Sequence, residues 1–555
     1  MMVKYVFFYL AFLSSLIFTG CKKGKETPPP VTVPENFNFE VFKVNNIVKA
    51  SPVYNVNFSP TIKLSFSANV NRSTVAAGIT LKNTVGTAIL FSTTYENGDS
   101  TVILQPALEP ITKYALFLSS SLTTQRNTTL SNASNLVLQT HIDSTDKFPI
   151  LTDNALLDKV QQQTFKYFWD FGHPVSGMAR ERNTSGDMVT SGGTGFGIMA
   201  IVAAVNRNFI TRAEGAARVL KMADFLINNC TKYHGAFAHW INGASGVTIA
   251  FSVNDNGADL VETSYLMQGL ITARQYFNTA NATEIDLRNK INVLWNRVDW
   301  NWFRQNNQNV LYWHWSQDKA WVMNAQVSGW NEALITYVMA ASSLTNAVPR
   351  IVYDNGWARN GAMKNNNTYF GQQLPLGPDL GGPLFFEHYS FMGINPNGLT
   401  DTYANYQTQT FAHTKINYEY CGANPKQWYG YSNLCWGLTA SDVPNGYNAN
   451  SPTNDIGVIS PTAAISSIPY TPVESMSALK FFYYKLGDKI WGTYGFSDAF
   501  SLNDPWFATS TLAIDQGPII VMIENYRTGL LWNLFTSAPE IKNGMKNLGF
   551  TAPYL

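Results

Sequence analysis

LTDNALLDKVQQQTFKYFWDF, residues 151–171, marks a change of periodicity in this chain of 555 residues. Leu156, Val160, Phe165, Phe168 and Trp169 fall near one face of a 3.6-residue repeat, the mark of an amphipathic α-helix. Similar faces recur at Leu220, Ala223, Phe225 and Leu226, and again at Leu479, Phe482, Tyr483 and Leu486. The spacing predicts helices over 153–171, 195–207, 211–229, 257–277, 283–297, 329–343, 400–417, 472–486 and 517–535. Long segments rich in Gly, Pro and Asn separate some of them, notably 371–383 and 441–461, and loops of that length in a compact domain usually carry function. A mainly α toroid of paired helices with a loop-lined mouth fits this pattern over 150–555.

Upstream, the pattern differs. From about Phe37 to Thr140 short alternating runs such as Ile62-Lys63-Leu64-Ser65-Phe66 and Thr101-Val102-Ile103-Leu104 are broken by turn residues, which predicts a small β-sandwich over 36–145. Its layout resembles bacterial Ig-like spacer domains. Residues 21–35 hold Lys22, Lys23, Lys25 and Pro28, Pro29, Pro30 and Pro34, a composition for an extended linker. Residues 1–20 place Lys4 before an apolar run from Val6 to Phe18, as in a secretory signal peptide, and Phe18-Thr19-Gly20-Cys21 resembles a lipobox with Cys21 as the lipidated residue. The expected location is the cell envelope, with the membrane met through the lipid anchor only. Cys230, Cys421 and Cys435 are then left, an odd number with no metal-ligand spacing, so neither a disulfide scaffold nor a structural zinc is expected.

Composition narrows the partners. Charged residues make up 14%, against about 25% in a typical globular protein. The balance of 38 basic and 37 acidic residues leaves no field for binding nucleic acid. With 34 Phe, 27 Tyr and 15 Trp, the surfaces suit a neutral, hydroxyl-rich ligand, and carbohydrate is the first expectation. Ser191 to Gly197 is Gly-rich but lacks the Lys-Ser/Thr of a phosphate loop, and neither HExxH nor GxSxG occurs.

Three acidic constellations stand out. Asp255, Asp259 and Glu262 are spaced i, i+4, i+7, so a helix would place them on one face, where three carboxylates repel unless a ligand or cations compensate. A helix start with its acids in water is the alternative. Glu332, in Ser328-Gly329-Trp330-Asn331-Glu332, falls in an opening helical turn, where neighbouring indole would raise its pKa and the helix dipole would lower it. Asp515 precedes the apolar helix from Ile519 and looks like an N-cap; Glu474 belongs to an apparent capping box with Thr471 and is a ligand contact at most. Seven Trp lie between Trp295 and Trp330, and Trp300 to Phe303 with Trp313 to Trp315 read as a hairpin offering a stacking face, or as packed core.

Asp170-Phe171-Gly172-His173-Pro174, Gly177 to Arg182, Asp255 to Thr263, Pro383 to Ser390 and Ile514-Asp515-Gln516-Gly517-Pro518-Ile519 resemble the bacterial glucoamylase-like proteins, most closely glycoside hydrolase family 144, the endo-β-1,2-glucanases and sophorose-releasing enzymes. The resemblance runs from about Leu151 to the C-terminus. It implies an (α/α)6 toroid, no required metal or cofactor, and inverting hydrolysis of β-1,2-linked glucose by a monomer. It maps the family's acidic cluster onto Asp255, Asp259 and Glu262 and its further essential Glu onto Glu332. On that basis Glu332 is the expected acid and Asp515 the expected base, the latter by inference from its position. Arg180, Arg182, His388 and Tyr389 are candidate substrate contacts, and Trp240, Trp313 and Trp436 candidate stacking surfaces. An α-1,4-glucan hydrolase, a glycan-binding lipoprotein without turnover and a glucosyl transferase remain open as alternatives.

Overall fold

The structure is a computed structural model and describes residues 36–555. The signal peptide, the Cys21 lipidation and the linker over 21–35 expected from the sequence lie outside the described residues.

Two compact units are present. The described part of the first runs to Pro52 and continues through Ser59–Ala107 and Tyr114–Val137, whereas Val53–Phe58, Leu108–Lys113 and Leu138–Leu555 group as the second. The first unit is built on β1 (Phe39–Val44), β2 (Ile47–Val48), β4 (Ile62–Phe66), β5 (Ile79–Asn83), β6 (Phe91–Glu96) and β7 (Thr101–Pro106), whereas β3 (Val53–Val56) groups with the second. The five-stranded antiparallel sheet runs β2-β1-β4-β7-β6, and β5 pairs with the strand Lys113–Leu118. In β4 the alternation expected from sequence appears directly, with Ile62, Leu64 and Phe66 buried and Lys63 and Ser65 partly exposed.

In the second unit helices alternate in character along the chain. Helices α1 (Asp153–Trp169), α2 (Ser191–Asn206), α3 (Arg212–Asn228), α4 (Leu260–Tyr276), α5 (Ala282–Arg297), α6 (Leu334–Ser342), α7 (Tyr406–Ala423), α8 (Pro461–Ile465), α9 (Pro472–Ile490), α10 (Ala513–Thr528), α11 (Leu530–Ser537) and α12 (Pro539–Leu548) carry it. Helices α2, α4, α6 and α10 are buried nearly all round, while α3, α5 and α9 bury one face. A helix apolar on every side belongs inside a protein, and one with a single stripe belongs at its surface. The caps are local: Thr152 accepts from the Ala155 amide, and Thr211 with Glu214 forms a capping box at α3.

The Gly-rich segment Ser191 to Gly197 forms the first turns of α2, and its glycines have a packing reason. A Cβ at Gly195 would sit 2.1 Å from the Tyr265 carbonyl oxygen, and one at Gly269 at 2.1 Å from that of Gly195. Helices α2 and α4 approach backbone to backbone, so an Ala at either site would force them apart at a cost of about 1–3 kcal/mol or more.

Some expected elements shift. The helix predicted over 329–343 begins only at Leu334, the one over 400–417 occupies 406–423, and that over 517–535 is two helices meeting at Gly529, whose φ of 67° breaks the α-helical run. The expected Trp hairpin does not form. Leu311–Tyr312 pairs with Gln326–Val327, His314–Trp315 pairs with Ala258–Asp259, and Trp302–Arg304 is a 3-10 turn. The alternation marks extended chain at Trp313 to Trp315 but not at Trp300 to Trp302, which lie in turns, and period-2 patterning carries no information on which strand is the partner. Among the described residues no helix is long and apolar enough to cross a membrane.

Candidate active site

The N-terminal ends of the buried helices α2, α4, α6 and α10 gather around one cavity of about 640 Å³. Thr190 precedes α2, Asp259 caps α4 with Glu262 in its first turn, Glu332 stands two residues before α6, and Leu512 and Ile514 open α10. The positive end of each helix dipole lies at this space, which favours anionic side chains there. Trp240, Phe251, Trp313, His239, His314, Phe385, Tyr389 and Tyr447 complete the walls.

The acidic cluster is assembled differently from the single helix face expected. Asp259 is the N-cap of α4: its Oδ1 accepts from the amides of Val261 (3.0 Å) and Glu262 (2.9 Å), while Oδ2 meets His239 Nδ1 at 3.1 Å. Glu262 Oε2 accepts from the Thr190 hydroxyl (3.1 Å) and the Gly192 amide (2.8 Å), an approach that a side chain at position 192 would block, since its Cβ would lie 2.3 Å from that oxygen. Asp255 sits in the loop before α4, with His314 Nδ1 in ion-pair contact at 3.2 Å. All three carboxylates line the cavity, so the spacing located them even though Asp255 is not helical.

Two histidines balance these charges. Burial opposes protonation of His239, but Glu262, Asp259 and Asp255 outweigh it and raise its pKa to about 9. His314 is likewise raised against its burial by Asp255 and Asp259. Burial pushes the Asp259 carboxyl up, but the bond from His239 and the charge of His314 prevail and hold it below the ordinary value. Glu262 is raised, by burial first and by Asp259 as well, with His239 and its two donors opposing. The donor atoms of Asp255, Asp259 and His314 lie within 4.8 Å of one another, the set with which this site could hold a metal ion.

Glu332 has no such partner. Its side chain faces the cavity, and its backbone carbonyl accepts from Ser390 Oγ at 2.5 Å and from Tyr265 Oη at 3.4 Å. Asn331 Oδ1 accepts from the Ala333 amide at 2.9 Å and closes the turn that holds Glu332. Trp330 turns away to donate to the buried Glu387 at 3.1 Å, which pins the loop from behind. Burial, assisted by the charges of Asp259 and Glu262, raises Glu332 to about 7. A carboxylic acid protonated near neutral pH is what a general acid requires.

Asp515 is not an N-cap; Leu512 holds that position and Asp515 lies in the first turn of α10. Nor does its side chain line the cavity. It is only 2% exposed, and its Oδ2 has no hydrogen-bond partner. Burial and the neighbouring Asp498 carboxyl raise it well above the usual carboxylate range. Its charge is felt by Tyr389 and Tyr447, which do line the cavity, so it lies just behind that wall.

The remaining expected contacts divide cleanly. Arg182, Trp240, Trp313 and Tyr389 line the cavity. Arg182 ties Glu181 (2.8 Å) to Asp442 (3.1 Å) at its rim. Four others are corrections. Arg180 is held away, its guanidinium 4.5 Å over the Phe171 ring and bonded to the Phe171 carbonyl. His388 is buried, bonds Ser467 Oγ at 2.9 Å, and burial lowers it to about 3, so it is neutral packing. Trp436 is 0% exposed within a core with Leu438, Ile459 and Phe482 and offers no face to a ligand. Glu474 forms no capping box, because Thr471 makes no cap bond; it pairs with Lys415 at 2.9 Å. The sequence reasoning missed His239, His314, Phe251 and Tyr447. His314, between Trp313 and Trp315, and Tyr447, within the long loop 441–461, stood in segments already singled out.

Known proteins share this framework. A family model described as "Putative glucoamylase" matches residues 324–539. A curated exo β-1,2-glucooligosaccharide sophorohydrolase (non-reducing end) from Parabacteroides distasonis is 46% identical over 421 residues, 72% of this chain, and the match spans only 58% of that relative's length. Among solved structures, a putative glucoamylase from Bacteroides uniformis is 54% identical with a TM-score of 0.73, covering 74% of this chain and 100% of that one. An endo-β-1,2-glucanase from Chitinophaga pinensis, solved with sophorotriose and glucose, is 48% identical with a TM-score of 0.72, covering 73% and 100%. The chain belongs to this glucoamylase-like family.

Proposed function

We propose that the chain is a glycoside hydrolase of family 144 whose (α/α)6 toroid cleaves β-1,2-glucan with inversion, releasing sophorose or short β-1,2-gluco-oligosaccharides. The carrying observation is Glu332, a buried acid with its pKa near 7, facing a cavity bordered by Trp240, Phe251 and Trp313 and by a carboxylate cluster in which His239 and His314 hold Asp259 ionised. The relatives named for β-1,2-glucan or sophorose add the linkage. A cavity of about 640 Å³ lies within the usual range of about 300–1,000 Å³ for small-ligand sites.

Glu332 protonates the leaving glycosidic oxygen while a water attacks the anomeric carbon from the opposite face. Asp515 receives the proton of that water. Because its carboxyl stands behind the wall formed by Tyr389 and Tyr447, the proton passes through intervening water and not by direct contact. Asp255, Asp259 and Glu262 accept hydrogen bonds from sugar hydroxyls, and Arg182 steadies the rim. The first unit acts as an Ig-like spacer behind an anchor at Cys21, which places the enzyme in the cell envelope.

Digestion of linear β-1,2-glucan and of starch, with product sizes followed over time, tests the substrate. Sophorose or short β-1,2-linked products are expected, and early products of many sizes would mark endo cleavage. Release of reducing sugar from starch alone would overturn the assignment.

A further inference from the structure

The second carboxyl station contains a residue that no part of the sequence pattern marked. Asp498 is 1% exposed and Asp515 2%. Asp498 Oδ2 accepts from the Asp442 backbone amide at 2.6 Å, whereas its Oδ1, like Asp515 Oδ2, has no donor in reach. The two side chains stand within hydrogen-bonding reach of each other, and two buried acid groups, each with an orphan oxygen, satisfy each other only if a proton lies between them, because two bare carboxylates in that position repel.

We propose that Asp498 is the positioning residue for Asp515: the two carboxyls share one proton, so that the pair carries a single negative charge and aims it at the wall of the cavity. The inference rests on Asp515 being the base. In the reaction the water O–H bond breaks and its proton joins the singly protonated pair. The water oxygen bonds the anomeric carbon, the bond to the leaving sugar breaks, and the leaving oxygen takes the proton of Glu332. The pair ends doubly protonated and Glu332 ionised, and proton exchange with solvent restores both.

The surroundings suit this role. The charged groups facing the pair are Asp442 and Glu181, with Arg182 held between those two, and the hydroxyls of Tyr389 and Tyr447 feel the charge of Asp515. Arg182 is spent on Glu181 and Asp442, and neither carboxyl of the pair has a salt bridge of its own among the described residues. Ser510 fixes Asp442 by donating to its Oδ2 at 2.5 Å, Ser460 donates to the Asp498 carbonyl at 2.6 Å, and Thr462 donates to the Asp515 carbonyl at 2.8 Å. The backbone of both acids is therefore held rigidly, which a shared proton demands. Burial raises both groups, the Asp498 carboxyl adding to the rise of Asp515 and the Asp442 charge to that of Asp498, in keeping with a proton retained at neutral pH.

The test is the pH dependence of kcat/KM for the whole enzyme and for Asp498→Asn and Asp498→Ala on β-1,2-gluco-oligosaccharide. Losing the shared proton removes a charge-assisted hydrogen bond from the anion, so the acidic limb moves upward, by about half a pH unit in Asp498→Asn, whose amide still donates, and by about one unit or more in Asp498→Ala. KM stays within about twofold of the parent in the Asn variant, since Asp498 is outside the cavity lining. An acidic limb unmoved in Asp498→Asn, whether or not kcat and the melting temperature fall, overturns the proposal, and this isosteric variant decides even if Asp498→Ala does not fold. Full turnover by Asp515→Asn would instead show that the base was misassigned, whatever Asp498 does.

Discussion

The cavity region contains two groups of buried acids that solve the same electrostatic problem in opposite ways. Around the start of α4, Asp255, Asp259 and Glu262 are packed with His239 and His314, so charge is met by countercharge and Asp259 is held ionised. Behind the start of α10, Asp498 and Asp515 form no salt bridge among the described residues, Arg182 being bound to Glu181 and Asp442, and rely on a proton. Glu332 stands apart from both as a single carboxyl raised by burial. The first arrangement suits fixed acceptors for sugar hydroxyls, and the other two suit proton traffic, because only groups that can exist in both protonation states near neutral pH can give and take protons.

The sharpest way to break this contrast is to remove the lone acid. Glu332→Gln keeps the shape and deletes the proton, and kcat should fall by about 10²- to 10⁴-fold with little change in melting temperature. In the parent enzyme kcat/KM should decline above about pH 7 as Glu332 ionises. Retained turnover in the Gln variant would remove the distinction between acceptor and proton-transfer acids.

The histidine-balanced group should respond in stability. His239 is raised from 6.5 to about 9 in the folded protein, so its contribution is fully present below pH 6.5 and is lost as pH rises through 9. Asp259 is lowered, and its contribution is lost as pH falls through its folded value. His239→Gln should therefore melt well below the parent at pH 6, by an amount on the order of 3 kcal/mol, with the gap closing by pH 10. Thermal unfolding across that range measures it; a gap that widened with pH would mean that His239 is buried neutral.

The smallest effects separate wall from core among the tryptophans. Trp313→Ala should raise KM by about two- to tenfold, the worth of one stacking surface. Trp436→Phe should leave KM alone and cost about 1–3 kcal/mol of stability, since that ring is enclosed in the core. An equal KM change in both would mean that cavity lining does not decide contact with the sugar.

Much of the scaffold was legible. Helical periodicity located α1 to α5 and α9 to within a few residues and α7 with a six-residue offset, because a buried stripe leaves a regular trace. The acids Asp255, Asp259, Glu262 and Glu332 were found as well, since carboxylates beside apolar residues signal a cost that something must offset. Harder to see were α8 and the late start of α6, helices buried on every side, where no exposed face imposes a period on the sequence. His388, Trp436 and Arg180 failed as contacts for a related reason: residue type says what a side chain can do, and packing decides whether it meets solvent.

By itself, the order of residues determined which segments coil, which alternate, and where acidic groups stand against apolar ones, since these follow from local spacing and transfer free energy. Tertiary structure alone decided that the openings of α2, α4, α6 and α10 meet at one cavity, that His239 and His314 neutralise one set of acids, and that Asp498 faces Asp515. Those pairs lie tens to hundreds of residues apart, and a proton or an ion pair depends on distances of a few ångströms that no local pattern records.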